Sequence, residues 1–428
     1  MAEFVGEDRR GDNRKMIKKQ TVLILGAGAS HHLGFPLGKR LIEDIYRLVF
    51  DKSKGWSLAG TGRIIENEYF SNAQLLERFL ELSNYKKADG QRYTHKDIEE
   101  FADRLFQAQP TSIDFFLEKN PQYRLLGKLC IIFCISRFED QDSWQYRPSS
   151  DPIKLKEDFP DFGWYSYLWH RLVADCKDFK DLLSNKITII TFNYDRSLEF
   201  YLFRAIKAFF NVEDDEAMDV FNTIRIKHVY GRLGKLFEEM SGISSSPLLP
   251  EEVMLETAPY TPWEIRCFYR LMGNTGEYGM AQHDFNEGST MGTDKARAFL
   301  TEKFNKVVKD IQTFYEGNTA EQKKEFLNDL LFAEQIYFLG FGYHEENFKV
   351  LGLPAAGFDL DKLSIKGTAI NMTEEEKKSI ERRLSKVFKS KDFLKKYGYI
   401  HIYRSLDGLD KSEPCIIKNF LRNVEPLI

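Results

Sequence analysis

Six short runs rich in β-branched and aromatic residues recur along the chain, at 21–25, 186–192, 224–229, 335–339, 367–370 and 399–403. Short runs of this kind suit buried strands. Between them, apolar residues recur three and four apart. Leu41, Ile45, Leu48 and Val49 form one such set, Leu198, Leu202, Ala205 and Ile206 another, and Leu300, Phe304, Val307, Val308 and Ile311 a third. That is the spacing of one helix face. Strand and helix alternating in this way predict an α/β fold, a doubly wound, Rossmann-like parallel sheet, because parallel neighbours need a covering crossover.

Two intervals are too long for simple crossovers. Residues 51–184 carry helix-period clusters at Leu75, Leu76, Phe79 and Leu80, at Ile98, Phe101 and Leu105, and from 125 to 138, and predict a helical insert with its own small layer. Residues 235–333 begin rich in Gly, Pro and polar residues and then turn helical, which predicts a lid loop and helices. The nucleotide-binding core is then 19–50 with 185–234 and 334–428. Residues 1–18 mix both charge signs without an apolar core and predict a flexible tail and no secretory signal.

Charge and cysteine content exclude several classes. With 61 basic against 65 acidic residues the formal net charge is −4, and no long basic tract is present. A chain of this kind does not coat nucleic acid by itself, so nucleic acid is expected only indirectly, through another protein. The most apolar stretch, 125–135, is broken by Lys128 and falls short of the roughly 20 residues of a membrane span. Five Cys form no C-x-x-C pair, which predicts a cytoplasmic protein and no metal site. Cys130 and Cys134, four apart on an apolar helical face, read as packing.

Chemistry-bearing residues gather at the ends of the expected strands. After 21–25 come Gly26, Ala27, Gly28 and Ser30, then Phe35 and Pro36, before a helix near Lys39. Gly in such a turn lets a phosphate approach backbone N–H groups and a helix N-terminus, although a tight packing turn has the same sequence. The third Gly of the dehydrogenase fingerprint is missing. Thr191, Asn193 and Asp195 follow the second strand, where they face a cofactor crevice or close an Asx turn. His228 and Tyr230 lie two apart at the third strand's end, and strand periodicity points both the same way. Gly340, Gly342 and Tyr343, with His344, Glu346 and Asn347 beyond, follow the fourth strand. Thr368 and Asn371 follow the fifth, where a polar side chain suits a ribose hydroxyl.

Taken together, these segments resemble a known family. Residues 26–36 resemble the sirtuin pattern G-A-G-x-S-x-x-x-G-[IF]-P, and Thr191, Asn193 and Asp195 its T-x-N-x-D. The segments at 228–231, 339–343 and 367–369, together with 112–117, are similar to those of sirtuin-like domains in bacterial anti-phage defence proteins. The resemblance implies an NAD glycohydrolase whose catalytic residues are Asn193 and His228, with Tyr230 as the rival to His228. It implies NAD contacts from Gly26, Ala27, Gly28, Ser30, Phe35, Pro36, Thr191, Asp195, Tyr230, Gly340, Gly342, Tyr343, Thr368 and Asn371. It also implies no metal, a homo-oligomer, and assembly with a HerA-type hexameric ATPase in abortive infection. The chain departs from sirtuin deacylases in having Leu37, Gly38 and Lys39 where they carry Asp-Phe-Arg, in lacking a four-Cys zinc module, and in placing Tyr230 where they place His.

The chemistry fits those residue types. In oxidised NAD the nicotinamide leaves as a neutral group, so cleavage needs no general acid, only positioning, charge stabilisation and a water. An amide holds water or a ribose hydroxyl, and an imidazole transfers protons near neutrality. Alternatives from other classes are a sensor that binds NAD or ADP-ribose without turnover, a scaffold or nuclease-associated subunit with a vestigial site, and a protein deacylase.

Overall fold

The computed structural model describes residues 16–50, 72–139, 162–233, 305–313, 316, 319–359, 361–369, 372–388, 400–403, 416–421 and 427. Its six strands are β1 (Thr21–Leu25), β2 (Ile187–Thr191), β3 (Arg225–His228), β4 (Gln335–Leu339), β5 (Ser364–Thr368) and β6 (Ile400–Tyr403). They form one sheet in the order β3-β2-β1-β4-β5-β6, every adjacent pair parallel. The fold is α/β and doubly wound. All five residues of β1, β2 and β4 are buried, which is why these strands read as unbroken apolar runs.

β5 begins three residues before the apolar run that signals it. Ile365 pairs with Ile336 and is fully buried, but Lys366 interrupts the pattern. That lysine is itself buried, with Nζ 3.1 Å from the Tyr337 hydroxyl and 5.0 Å from the ring centroid. Its stem lies on the sheet while its ammonium finds a phenol, an arrangement that hydrophobic spacing cannot reveal.

Helices cover both sheet faces. α1 (Gly38–Phe50), α2 (Asn72–Leu82), α3 (His95–Ala108), α4 (Ile113–Lys119) and α5 (Arg124–Glu139) precede β2. Their buried residues join Val22, Ile24, Ile190 and Phe338 in one continuous apolar cluster. α6 (Trp164–Leu172) instead packs on the opposite face with α7 (Ser197–Phe210) and α8 (Asp214–Phe221), against Leu23, Leu25, Ile189 and Leu339. The segment expected as one insert with its own layer is therefore divided between two faces, and α2 to α5 share the core of the sheet. α5 is buried on nearly every side from Leu129 to Ile135, which is what its apolar run demands. α9 (Ala320–Leu331), α10 (Glu345–Val350) and α11 (Glu374–Val387) complete the first face. No helix among the described residues is long and apolar enough to cross a membrane.

Several boundaries differ from the sequence expectation. Within the expected tail, Ile17 is 0% exposed, donates its N–H to Asn185 Oδ1 at 3.0 Å and accepts at its carbonyl from Lys186 N at 2.9 Å. The packed core thus includes Ile17, while residues 1–15 lie outside those described. Of the expected lid segment, 235–304 also lies outside the described residues. Residues 305–310 are helical, as the apolar spacing predicts.

Candidate functional site

The chain leaves β1 for β2 and β3 on one side and continues with β4 on the other, so the carboxyl ends of β1 and β4 flank the topological switch point. In open α/β sheets this is where ligands bind. A cavity of about 260 Å³ lies there, lined by the turns after β1 to β4 and by α1, α4 and α10. Its volume approaches the low end of small-molecule sites, ~300–1,000 Å³, and suits part of a dinucleotide. Phe35, Ile113, Ile135, Phe192 and Phe341 supply apolar wall. Among the described lining residues are four carboxylates, Asp114, Glu118, Asp195 and Glu346, and one ammonium, Lys39.

The turn after β1 is set by backbone contact with the turn after β4. Gly26 N donates to Leu339 O and Gly28 N to Gly340 O, both at 3.0 Å. A Cβ on Gly26 would come within 2.5 Å of Gly340 O, and one on Gly28 within 2.7 Å of Gly340 Cα. Gly340 itself has φ +56°, and its own Cβ would meet Ala29 N at 2.3 Å. The two glycine-bearing turns therefore pack directly on each other, and that contact alone accounts for Gly28 and Gly340. Gly26, Ala27, Ser30, Phe35 and Pro36 reach the cavity, whereas Gly28 and Gly340 are not among its described lining residues. Trp164 fixes the turn from below by donating its indole N–H to Ala29 O at 2.7 Å. His31 and His32 are held by the carbonyls of Phe35 and Phe162, at 3.0 and 3.1 Å.

At the end of β2, Asn193 and Asp195 meet Ser30. Asn193 Nδ2 donates to Ser30 Oγ at 3.1 Å, and Asn193 Oδ1 is buried without a partner among the described residues. Asp195 accepts from Ser197 N at 3.2 Å, the turn that starts α7, and from the hydroxyls of Ser197 and Ser30. Burial raises its pKa, and these hydrogen bonds partly oppose the rise. Asp195 thus closes an Asx turn ahead of α7 and positions Ser30. Thr191 is buried, and its Oγ1 accepts from Asn193 N at 3.1 Å, so it shapes the loop from beneath the cavity.

His228 does not line the cavity. Its Nε2 lies 2.6 Å from Glu199 Oε1 and its Nδ1 3.0 Å from Asn193 O. Both partners are acceptors, so the ring makes both bonds only with hydrogen on each nitrogen. No lone pair is then left for a reacting water. Tyr230, by contrast, lines the cavity and stacks edge-on to Phe192 at 5.5 Å. The expected common orientation of the two residues fails because β3 ends at His228, and the backbone turns at Gly231, where φ is +73° and Asp310 O packs against the Cα. Strand alternation holds only inside the strand.

Gly342 lines the cavity after β4, with His344, Glu346 and Asn347 beside it. Tyr343 and Thr368 do not. Tyr343 donates from its hydroxyl to Thr368 O at 3.1 Å, and Thr368 Oγ1 accepts from Gly340 N at 2.9 Å. Both are buried braces between β4 and β5. Asn371 lies outside the described residues.

Asp114 is a site residue that spacing did not single out. Ser112 Oγ accepts Phe115 N at 3.1 Å, capping α4 and setting Asp114 in the helix's first turn at the cavity wall. The Tyr194 hydroxyl donates to Asp114 Oδ1 at 2.9 Å. Burial raises the Asp114 pKa to about 6, against the opposing hydrogen bond from Tyr194. The helix-start pattern at Ser112 is visible in sequence, but nothing there places Asp114 against Tyr194, 80 residues away along the chain. Lys39, on the first turn of α1, also lines the cavity.

No family model, curated protein or solved structure matches the chain.

Proposed function

We propose that this chain is an NAD glycohydrolase, releasing nicotinamide and ADP-ribose, and that it serves as the NAD-depleting effector of an anti-phage defence system. The observation that carries the reading is Asn193, whose buried Oδ1 lacks a partner in the wall of a cavity at the switch point of the sheet. Leaving such an acceptor unpaired costs about 1–3 kcal/mol, and a ligand hydroxyl or water held there removes that penalty. The sirtuin-like spacing of 26–36 and of Thr191, Asn193 and Asp195 supplies the dinucleotide.

The substrate's charge suits this wall. Lys39 and the first turn of α1 offer positive charge to the diphosphate, while the surrounding carboxylates favour the cationic nicotinamide and the oxocarbenium-like ribose. Asn193 orients the water or a ribose hydroxyl, and Tyr230 and Phe192 exclude bulk solvent. His228 acts behind the site, holding the Asn193 backbone. Homo-oligomerisation, cytoplasmic location and assembly with a HerA-type ATPase rest on the family resemblance.

A second reading is favoured by the engagement of both His228 nitrogens away from the cavity. In it the pocket binds NAD or ADP-ribose as a sensor without turnover. Chromatography of NAD incubated with the purified chain, alone and with the ATPase, separates the two. Nicotinamide release that Asn193→Ala abolishes supports the hydrolase. Calorimetric binding of ADP-ribose with no release under either condition selects the sensor.

A further inference from the structure

Resting on that hydrolase reading, we propose that Asp114 is the catalytic base of the site, accepting the proton of the water that attacks the ribose.

Asp114 meets the geometric demands on such a group, which His228 does not. It lines the same cavity as Asn193, whose buried Oδ1 has no partner among the described residues, and it stands on a helix whose first turn is fixed by the Ser112 cap. Its Oδ1 is oriented by the Tyr194 hydroxyl at 2.9 Å, and Tyr194 sits next to Asn193 in the chain. A carboxylate and an amide-bearing residue thus line one cavity from two different elements. A base oriented by a third group beside the residue that holds the nucleophile is the arrangement general-base catalysis requires.

The step balances without a metal or a redox partner. The bond from the anomeric carbon to the nicotinamide nitrogen breaks, its electron pair neutralising the ring nitrogen. A water oxygen bonds to the anomeric carbon, and the water proton passes to Asp114, which later releases it to solvent. The products are nicotinamide and ADP-ribose. A carboxylate in the cavity wall beside an oxocarbenium-like centre also stabilises the positive charge that develops there.

Titratable groups from each packed element face the cavity that Asp114 lines. Tyr194 and Tyr230 approach from the ends of β2 and β3, His344 and Glu346 from the start of α10, Glu118 from its own helix and Lys39 from α1. Burial holds the Asp114 carboxyl near pH 6, with Tyr194 opposing. Only the ionised form accepts a proton, so turnover falls as pH drops through that value.

The test is NAD cleavage by the full chain, with and without the ATPase, followed from pH 5 to 8. Asp114→Asn is expected to lower kcat by about 10²- to 10⁴-fold and to abolish the acidic limb, with ADP-ribose affinity held within about threefold by calorimetry. Tyr194→Phe removes the opposing hydrogen bond and moves the limb to higher pH. His344→Gln leaves the limb's position in place, whatever its effect on rate. An Asp114→Asn protein that keeps its rate and limb, or a limb unmoved in Tyr194→Phe, overturns the assignment while leaving the hydrolase reading standing. A wild-type chain that releases no nicotinamide in either condition overturns both.

Discussion

His228 and Glu199 form a buried ion pair, Nε2 to Oε1 at 2.6 Å, that joins the end of β3 to the first turn of α7 behind the cavity. Arg196, 1% exposed, reaches the same Glu199 oxygen through Nε at 2.8 Å. Through His228 Nδ1 this cluster also grips the Asn193 carbonyl. Two cationic groups on one enclosed carboxylate make the histidine a structural tie, whose removal disturbs the loop that bears Asn193.

Replacing His228 with Ala leaves Glu199 with one partner and a void, and is expected to destabilise the chain by about 3–5 kcal/mol, as when one member of a buried pair is removed. Urea unfolding measures it. A His228→Ala protein with unchanged stability would refute the tie.

Glu199 also sets an acid limit. Burial pushes its pKa up, but the His228 and Arg196 charges more than offset this and hold the carboxyl well below its usual 4.5. A carboxyl depressed in the folded state contributes stability that is fully present above pH 4.5 and lost as pH falls toward the folded value. Wild-type stability is therefore expected to decline below pH 4.5, and Glu199→Gln to remove that part of the decline while lowering stability at neutral pH. Unfolding curves at pH 3, 4 and 7 give the comparison.

The two glycine turns make a contrasting pair of substitutions. Gly340→Ala combines a left-handed φ with Cβ contacts of 2.3 Å against the Gly28 and Ala29 backbone. Neither side can retreat, so a loss of about 3 kcal/mol or more is expected. Gly90 has φ +83° but nothing within 4 Å of an added Cβ. Gly90→Ala should cost only about 1 kcal/mol, the backbone strain by itself. Equal losses at the two positions would show that the turn-to-turn contact contributes nothing.

Much of this architecture is written in local pattern. Buried central strands carry unbroken apolar runs, so β1 and β4 begin and end where hydrophobicity does, and the cavity lies where strand order reverses. The side chains' destinations are less legible. Gly26 and Gly28 suit a phosphate turn and a packed turn equally, and only the position of Gly340 decides what they touch. His228 and Tyr230 part company because the strand stops between them, an event marked by Gly231 and not by any periodicity. Thr368 and Tyr343 carry polar atoms at strand ends, yet spend them on each other's backbone surroundings. Asp114 lies in the 112–117 segment that carries the resemblance, but its site role is not legible there, because its distinguishing neighbour, Tyr194, is distant in sequence and burial by remote segments leaves no trace in spacing.

Asp114 predicts a conflict between stability and activity. Its folded pKa of about 6 stands above the usual 3.8, so the folded chain binds a proton that the unfolded chain has already released. Stability associated with this group is full below about pH 4 and lost as pH rises to about 6. Above that, ionised Asp114 strains the fold, and Asp114→Asn, which still accepts the Tyr194 hydroxyl, removes the strain. Because the residue is half-buried at the cavity wall, the expected gain at pH 7.5 is on the order of 1–2 kcal/mol, less than the full shift would give. At pH 4 the variant and wild type should unfold at nearly the same urea concentration. A neutral-pH gain coupled to lost turnover is what a group retained for chemistry produces, whereas a purely structural carboxylate would show the reverse, with the Asn variant weaker at pH 7.5 than at pH 4 relative to wild type.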